Sequence, residues 1–442
     1  MNTPICDFVE KYAGEETLRL HMPGHKGMGG IERLDITEID GADSLYEASP
    51  ERGGIIAQSE ANASSLFGCP TFYSTEGSSQ CIRAMLCLAL TRTGNNLILA
   101  ARNVHRTFVS AAALLDLEVE WLCGGGSYLS CTPSADELEE KLKSMPKKPA
   151  ALYLTSPDYL GDTSDISALA EVCHKYGLLL LCDCAHGAYL RFLPESRHPA
   201  DLGADLCCSS AHKTLPVLTG GAYLHVPSGD PYFADAAKST LALFGSTSPS
   251  YLILQSLDAA NRYLAEGYKS RLADFCRKVG ALKRTLAEGG YTLIGSEPLK
   301  LTVAAKEYGY TGTEYAALLA EGGMVCEFAD GDHLVMMLTP ELGDNTLSQI
   351  GTAMLSIPKK AAVDIRPPSL HLPERAISIR RAVLSRWEEL PVAECVGRVL
   401  ATAEVGCPPA VMPVVCGEII DAEAAEVLAY YGIEKCRVVI GN

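Results

Sequence analysis

The stretch Cys207-Cys208-Ser209-Ser210-Ala211-His212-Lys213-Thr214-Leu215 puts two hydroxyls, an imidazole and a primary amine at the end of an apolar run that reads as a buried strand. The nearest other lysines are Lys175 and Lys238, so this amine stands apart. Small and apolar neighbours desolvate an amine, which favours its neutral, nucleophilic form. Upstream, the run Gly177-Leu178-Leu179-Leu180-Leu181-Cys182 ends in Asp183-Cys184-Ala185-His186-Gly187, a second strand with a carboxylate at its exit. Ligands of open α/β sheets sit at the carboxyl ends of strands. Asp183 and Lys213 are therefore expected to meet at one bound ring.

An amine that condenses with an aldehyde and a carboxylate for a protonated ring nitrogen are two of four requirements of pyridoxal phosphate (PLP). The others are a phosphate cradle and a group on the ring face. The strand Thr71 to Ser74 runs through Thr75-Glu76-Gly77-Ser78-Ser79 into an apolar helix, Cys81 to Leu90. Amides of a first helical turn point at an anion and the helix dipole favours it, although Ser and Gly there are equally ordinary caps. Ser210 and His212 would add donors to the phosphate. Glu76 is awkward beside a phosphate and is expected to pair elsewhere. In Arg102-Asn103-Val104-His105-Arg106-Thr107, just past the strand Leu97 to Ala101, His105 either lies on a ring face or caps the next helix. His186 either supports Asp183 and the ring or is a core histidine.

Taken with His21-Met22-Pro23-Gly24-His25-Lys26-Gly27, the Asp183 to Gly187 segment and Ser210-Ala211-His212-Lys213 resemble, in order, the Orn/Lys/Arg decarboxylase family. The resemblance runs from about position 17 to Cys416-Gly417-Glu418. It implies a fold type I PLP enzyme, with an α/β large domain on a mainly parallel, seven-stranded-type sheet and smaller α+β C-terminal domains. It implies decarboxylation of arginine, lysine or ornithine to a polyamine-pathway amine. Lys213 would hold the cofactor, Asp183 the ring nitrogen and His105 the ring face, with Gly77, Ser78, Ser79, His186, Ser210 and His212 around it. Lys213 or His212 would return the proton to the substrate carbon.

The resemblance also implies a homodimer or higher homo-oligomer with shared active sites, reached by the glycine-rich arm. By residue chemistry alone that arm is a surface loop. Thr247 and Ser248, in Phe244 to Tyr251, would reach the neighbouring subunit's phosphate, or else belong to a helix-start loop. Glu418 would meet a cationic substrate side chain. Glu76 departs from the asparagine common in the family. An aminotransferase or β-lyase would use the same Asp and Lys pair, and an aminotransferase would add an arginine clamp, for which Arg375, Arg380, Arg381, Arg386 and Arg398 are candidates in no recognisable context. A silent relative with a binding role is the other alternative. Asp183 and Lys213 together argue against it, since nothing structural demands both.

The chain's 442 residues suggest roughly two or three domains. A net charge of −17 argues against a general nucleic-acid binder and suits a cationic substrate. Seventeen cysteines lie largely in apolar runs, without C-x-x-C spacing, as reduced thiols of a cytoplasmic protein would. His21 and His25 are four apart, but Pro23-Gly24 breaks the helix that would make them a metal pair, and no metal is expected. No apolar run approaches the ~20 residues of a membrane span, and no signal peptide is read at the N-terminus.

Short strands alternating with helices mark a mainly parallel sheet. The expected organisation is an arm over 1–45, a PLP-binding domain over 46–260, a small α+β domain over 261–357, a proline-rich linker over 358–373 and a C-terminal decarboxylase-type domain over 374–442. The length leaves no room for an extra N-terminal regulatory domain, so a biosynthetic-type enzyme is expected.

Overall fold

The computed structural model describes residues 1–15, 17–36, 54–123, 128, 130–403 and 411–441. The loop expected over Ser44 to Gly54 lies, but for Gly54, outside them, as do Pro408 and Pro409. In chain order the elements are α1 (Pro4–Gly14), α2 (Ile55–Phe67), β1 (Thr71–Ser74), α3 (Ser78–Thr93), β2 (Leu97–Ala101), α4 (Arg106–Leu115), β3 (Glu118–Leu122), α5 (Ala135–Ser144), β4 (Ala151–Thr155), α6 (Ile166–Tyr176), β5 (Leu179–Asp183), β6 (Leu206–Ser209), α7 (Ala211–Thr214) and β7 (Ala222–His225). The seven strands form one sheet in the order β1-β7-β6-β5-β4-β2-β3. β5 and β6 are parallel, as are β2 and β3, while β7 runs antiparallel to β1 and β6. The chain divides into two compact units, residues 1–95, 150–153 and 166–270, and residues 96–149, 154–165 and 271–442.

In the first unit, unbroken apolar runs become strands buried on both faces, as parallel sheets require. Leu180, Leu181, Cys182, Leu206, Cys207 and Cys208 are all fully buried. Register sets Asp183 opposite Cys208, so the two strands end together and deliver their following residues to one edge. The helical pattern from Tyr251 to Glu288 is two helices, α8 after β7 (Pro231–Ala242) being followed by α9 (Tyr251–Ala265) and α10 (Tyr268–Glu288). Gly267, at φ 76°, makes the break, a left-handed conformation that glycine adopts without penalty.

Beneath β6 runs a buried hydrogen-bonded chain. Thr71 Oγ1 donates to the Cys69 carbonyl, so it accepts from His225 Nδ1 (3.1 Å). His225 Nε2 must then accept from Ser209 Oγ (3.2 Å), which accepts in turn from His198 Nε2 (3.2 Å). His198 Nδ1 is left to accept from the Ala200 amide, which completes a consistent set of neutral tautomers. Burial pushes His198 down to about 4 and His225 well below the usual histidine range. A depressed histidine is protonated in the unfolded chain first, so stability falls as pH drops from about 6.5 towards the folded value. For His198 the loss between pH 7 and pH 5 is about 2 kcal/mol. We expect His198→Asn to flatten the pH dependence of the urea-unfolding free energy over that interval by about this amount; an unchanged slope would refute the assignment.

The second unit holds β2, α4, β3 and α5. Ser134 and Glu137 form a capping box, which is why α5 starts at Ala135. A four-stranded antiparallel sheet has the order β10-β11-β9-β8, from β8 (Leu293–Ile294), β9 (Lys300–Ala304), β10 (Phe328–Ala329) and β11 (His333–Met337). Residues 358–373 carry neither helix nor strand. Beyond them two small antiparallel pairs, β12 (Trp387–Pro391) with β15 (Lys435–Val439) and β13 (Arg398–Val399) with β14 (Ile419–Ile420), close over Leu400, Val414, Leu428 and Val438. No helix of the described residues is long and apolar enough to cross a membrane.

Candidate active site

Asp183 ends β5 with its side chain 2% exposed. Oδ1 accepts from the Ala185 amide (3.1 Å) and the Cys208 thiol (3.6 Å), and Oδ2 from the Tyr153 phenol (3.4 Å). Burial, reinforced by the adjacent carboxylate, holds the phenol and the thiol well above their ordinary ranges, so both stay protonated donors. Every one of these partners is neutral, and among the described residues no cation pairs with Asp183. A buried carboxylate without a counter-charge is costly. Its remaining lone pair on Oδ2 suits a protonated ring nitrogen, which would supply the missing positive charge.

Lys213 sits in α7, the single turn that follows β6. Its Nζ lies 3.2 Å from His186 Nε2, a residue of the β5 exit. Ser210 stands at the N-cap position of that turn without bonding into it, and its Oγ donates instead to Ser78 Oγ (2.8 Å) at the first residue of α3. No side chain caps α3, whose N-cap is Gly77 at φ 72°. The Gly77 amide itself donates to the Gly220 carbonyl (2.7 Å). Gly77 therefore shapes the start of α3, where the hydroxyls of Ser78 and Ser210 meet. Amides of a first helical turn beside serine hydroxyls suit an anion, so the residues present fit the phosphate of PLP as Asp183 fits its ring.

His212 bonds through Nδ1 to the Gly221 carbonyl (3.0 Å). The neutral ring then presents Nε2 as an acceptor, and it donates to a phosphate only as imidazolium. Glu76 turns to the Ser246 amide, which resolves its awkward position beside the cradle. Thr247 and Ser248 lie in an exposed loop between α8 and α9. His105, in the second unit, caps α4 with Nδ1 accepting from Thr107 (3.3 Å from its amide, 2.9 Å from its hydroxyl).

One expectation is corrected. Glu418 is not an open carboxylate for a cationic substrate. It is 3% exposed, and both its oxygens are held by Arg102, Oε1 by Nη1 at 2.8 Å and Oε2 by Nη2 at 2.7 Å. Asp158 is 1% exposed and accepts from the amides of Gly161 and Asp162 and the hydroxyl of Ser130, pinning its own loop. Tyr153, Cys208 and Arg102 were not singled out as site residues from the sequence.

The sequence matches the family described as Orn/Lys/Arg decarboxylase, major domain, over residues 29–293. It is 28% identical over 466 residues to the uncharacterized protein YaaO of Bacillus subtilis, covering 97% of this chain and 94% of that protein. To the arginine decarboxylase of Bacillus subtilis it is 28% identical over 469 residues, covering 95% and 92% respectively. The crystal structure of the Francisella novicida lysine decarboxylase shares the fold, with a TM-score of 0.80 at 16% identity over 99% of this chain and 81% of that one. Because the family match spans more than half of the chain and falls on the sheet that carries Asp183 and Lys213, the chain belongs to the Orn/Lys/Arg decarboxylase family and is a PLP-dependent decarboxylase.

Proposed function

We propose that the enzyme removes the α-carboxylate of arginine, lysine or ornithine, with arginine preferred, and supplies a polyamine-pathway amine. The observation that carries this reading is the exit of β5 and β6, where an uncompensated carboxylate and an amine–imidazole pair lie at the ends of neighbouring parallel strands. Arginine is placed first because a relative that matches along nearly its whole length is an arginine decarboxylase, whereas the lysine decarboxylase likeness is one of fold. The net charge of −17 draws cationic substrates towards the protein.

Bound PLP supplies an electron sink for the pair left behind as carbon dioxide departs. Asp183 keeps the ring nitrogen protonated, and Tyr153 and Cys208 fix the rotamer in which it does so. Lys213 would hold the cofactor, and its Nζ would carry a proton to the substrate carbon, with His186 Nε2, at 3.2 Å, placed to relay protons to and from that amine. Ser78, Ser79 and Ser210 anchor the phosphate. His212 adds a further polar group beside Lys213. Thr247 and Ser248 extend towards the phosphate of a second copy in a homodimer.

Carbon dioxide release from arginine, lysine, ornithine and uncharged norleucine tests the proposal. We expect release from the cationic amino acids, fastest from arginine, and little from norleucine. No release from any of them, with amino-group transfer to a 2-oxo acid instead, would establish the aminotransferase alternative.

A further inference from the structure

The turn between β10 and β11, in the second unit, brings together the side chains of Asp330, Asp332 and His333. They are 6%, 6% and 5% exposed, and each offers a metal-ligating atom within 4.8 Å of those of the other two. Part of this buried polarity is spoken for. Asp330 Oδ1 accepts from the amides of Asp332 (2.7 Å) and His333 (2.6 Å), which fixes the bend of the turn. Asp332 Oδ1 accepts from Lys306 Nζ (2.7 Å) and from the hydroxyl of Tyr430 (2.8 Å). Lys306 also donates to the Ile365 carbonyl (2.7 Å) and to the Tyr430 hydroxyl (2.6 Å).

The rest of it is not. Asp332 Oδ2 and His333 Nδ1 are buried atoms without a hydrogen-bond partner among the described residues, and so is the hydroxyl of Tyr431, which follows the helix Ala422–Tyr430. Burial, with the charges of Asp332 and Asp330 nearby, pushes the Tyr431 phenol well above its ordinary range, so this third orphaned group belongs to the same neighbourhood. Buried polar groups left unpaired in a native fold call for a water or an ion. His333 Nδ1 lies 3.8 Å from Asp330 Oδ1, too far for a hydrogen bond. Two ligands at ~2.0–2.2 Å from one zinc ion stand up to ~4.2 Å apart. The spacing therefore suits two atoms with a cation between them. Lys306 pairs with Oδ1 of Asp332, which leaves Oδ2 and the Asp330 charge for that cation.

We infer that Asp330, Asp332 and His333 bind a divalent transition-metal ion of the zinc class, with a fourth position open to water near the Tyr431 hydroxyl. Two carboxylates and one imidazole are a ligand set for such an ion, the imidazole favouring it over magnesium or calcium. Lys306 and Tyr430 hold Asp332 from behind through its other oxygen, as outer hydrogen bonds orient metal-bound carboxylates. The ion would thus tie the hairpin to the end of the chain. All of these residues lie within the second unit, and the inference is independent of the cofactor chemistry. Asp330-Gly331-Asp332-His333 has none of the spacings by which a sequence marks a zinc site, so no metal was expected there.

Titration of the holoenzyme with Co²⁺, after dialysis against a chelator, tests the site. Co²⁺ stands in for zinc because its visible bands report its ligands, and thiolate ligands add an intense near-ultraviolet band. Difference spectra cancel the cofactor's own absorption. We expect about one Co²⁺ per chain, with the visible bands and without the thiolate band, which separates this site from the chain's many cysteines. Asp332→Asn and His333→Gln should each weaken binding by at least about 10-fold. No Co²⁺ bound by the parent would mean that water fills the orphaned positions, and would overturn the inference whether or not the variants fold. A thiolate band, or binding that both substitutions leave intact, would overturn it as well.

Discussion

Lys213→Ala is expected to lower kcat/KM for decarboxylation by at least about 10³-fold, because it removes both the nucleophile that holds the cofactor and the proton carrier beside the substrate carbon. The visible absorption of protein-bound PLP should disappear with it. Folding should survive the change: Lys213 is half-buried, and the described contact of its Nζ is with His186 at 3.2 Å. The thermal midpoint of cofactor-free protein is therefore expected to stay within a few degrees of the parent, consistent with a change of under about 1 kcal/mol. A small primary amine added to the medium would restore part of the activity, since the site keeps its carboxylate, imidazole and phosphate cradle. Activity within 10-fold of the parent, or an intact absorption band, would remove Lys213 from the centre of the chemistry.

The same residue shows why part of this site was legible in the amino-acid order. Lys213 and Asp183 each follow an apolar run directly, and a strand's exit is a position that sequence marks clearly. Tyr153 and Cys208 were illegible for the opposite reason. They stand inside runs of strand-forming apolar residues, Ala151 to Thr155 and Leu206 to Ser209, where a tyrosine and a cysteine read as filling. Only the pairing of strands reveals that both aim at one carboxylate. Glu418 was visible as part of a motif, but its partner lies 316 positions away, and a lone glutamate does not disclose whether it faces solvent, substrate or an arginine. Glu76 is similar, its conflict with a phosphate being evident and its resolution at Ser246 not. At the level of elements, the strand–helix alternation and the end points of β2, β3 and α6 follow from apolar runs and their breakers. The interruption between α9 and α10 was missed because apolar spacing continues across a glycine whose left-handed φ only the chain path requires.

Asp183→Asn should have little effect in the absence of cofactor and a large one in its presence, and this contrast tests the reading of the site most directly. In the cofactor-free protein Asp183 is a buried carboxylate whose hydrogen-bond donors, the Ala185 amide, the Cys208 thiol and the Tyr153 phenol, carry no charge. Neutralising it removes a desolvation cost and sacrifices one or two weak bonds, so stability should change by less than about 1 kcal/mol in either direction. With PLP bound, the carboxylate gains a cationic ring nitrogen. Removing one member of a buried charge pair costs about 3–5 kcal/mol, which corresponds to a loss of about 10²- to 10⁴-fold in turnover where that charge is needed to stabilise developing electron density. Cofactor affinity should fall as well. At a PLP concentration of 100 times the parent dissociation constant, bound cofactor contributes about 2.7 kcal/mol to folding, and a 100-fold weaker variant would retain only about 0.4 kcal/mol. The measurement is a pair of thermal or urea unfolding curves, with and without PLP, for parent and variant. A large loss of stability in the cofactor-free variant would mean that Asp183 is a structural strand-end group, and an undiminished PLP-dependent gain would mean that its charge does not meet the ring.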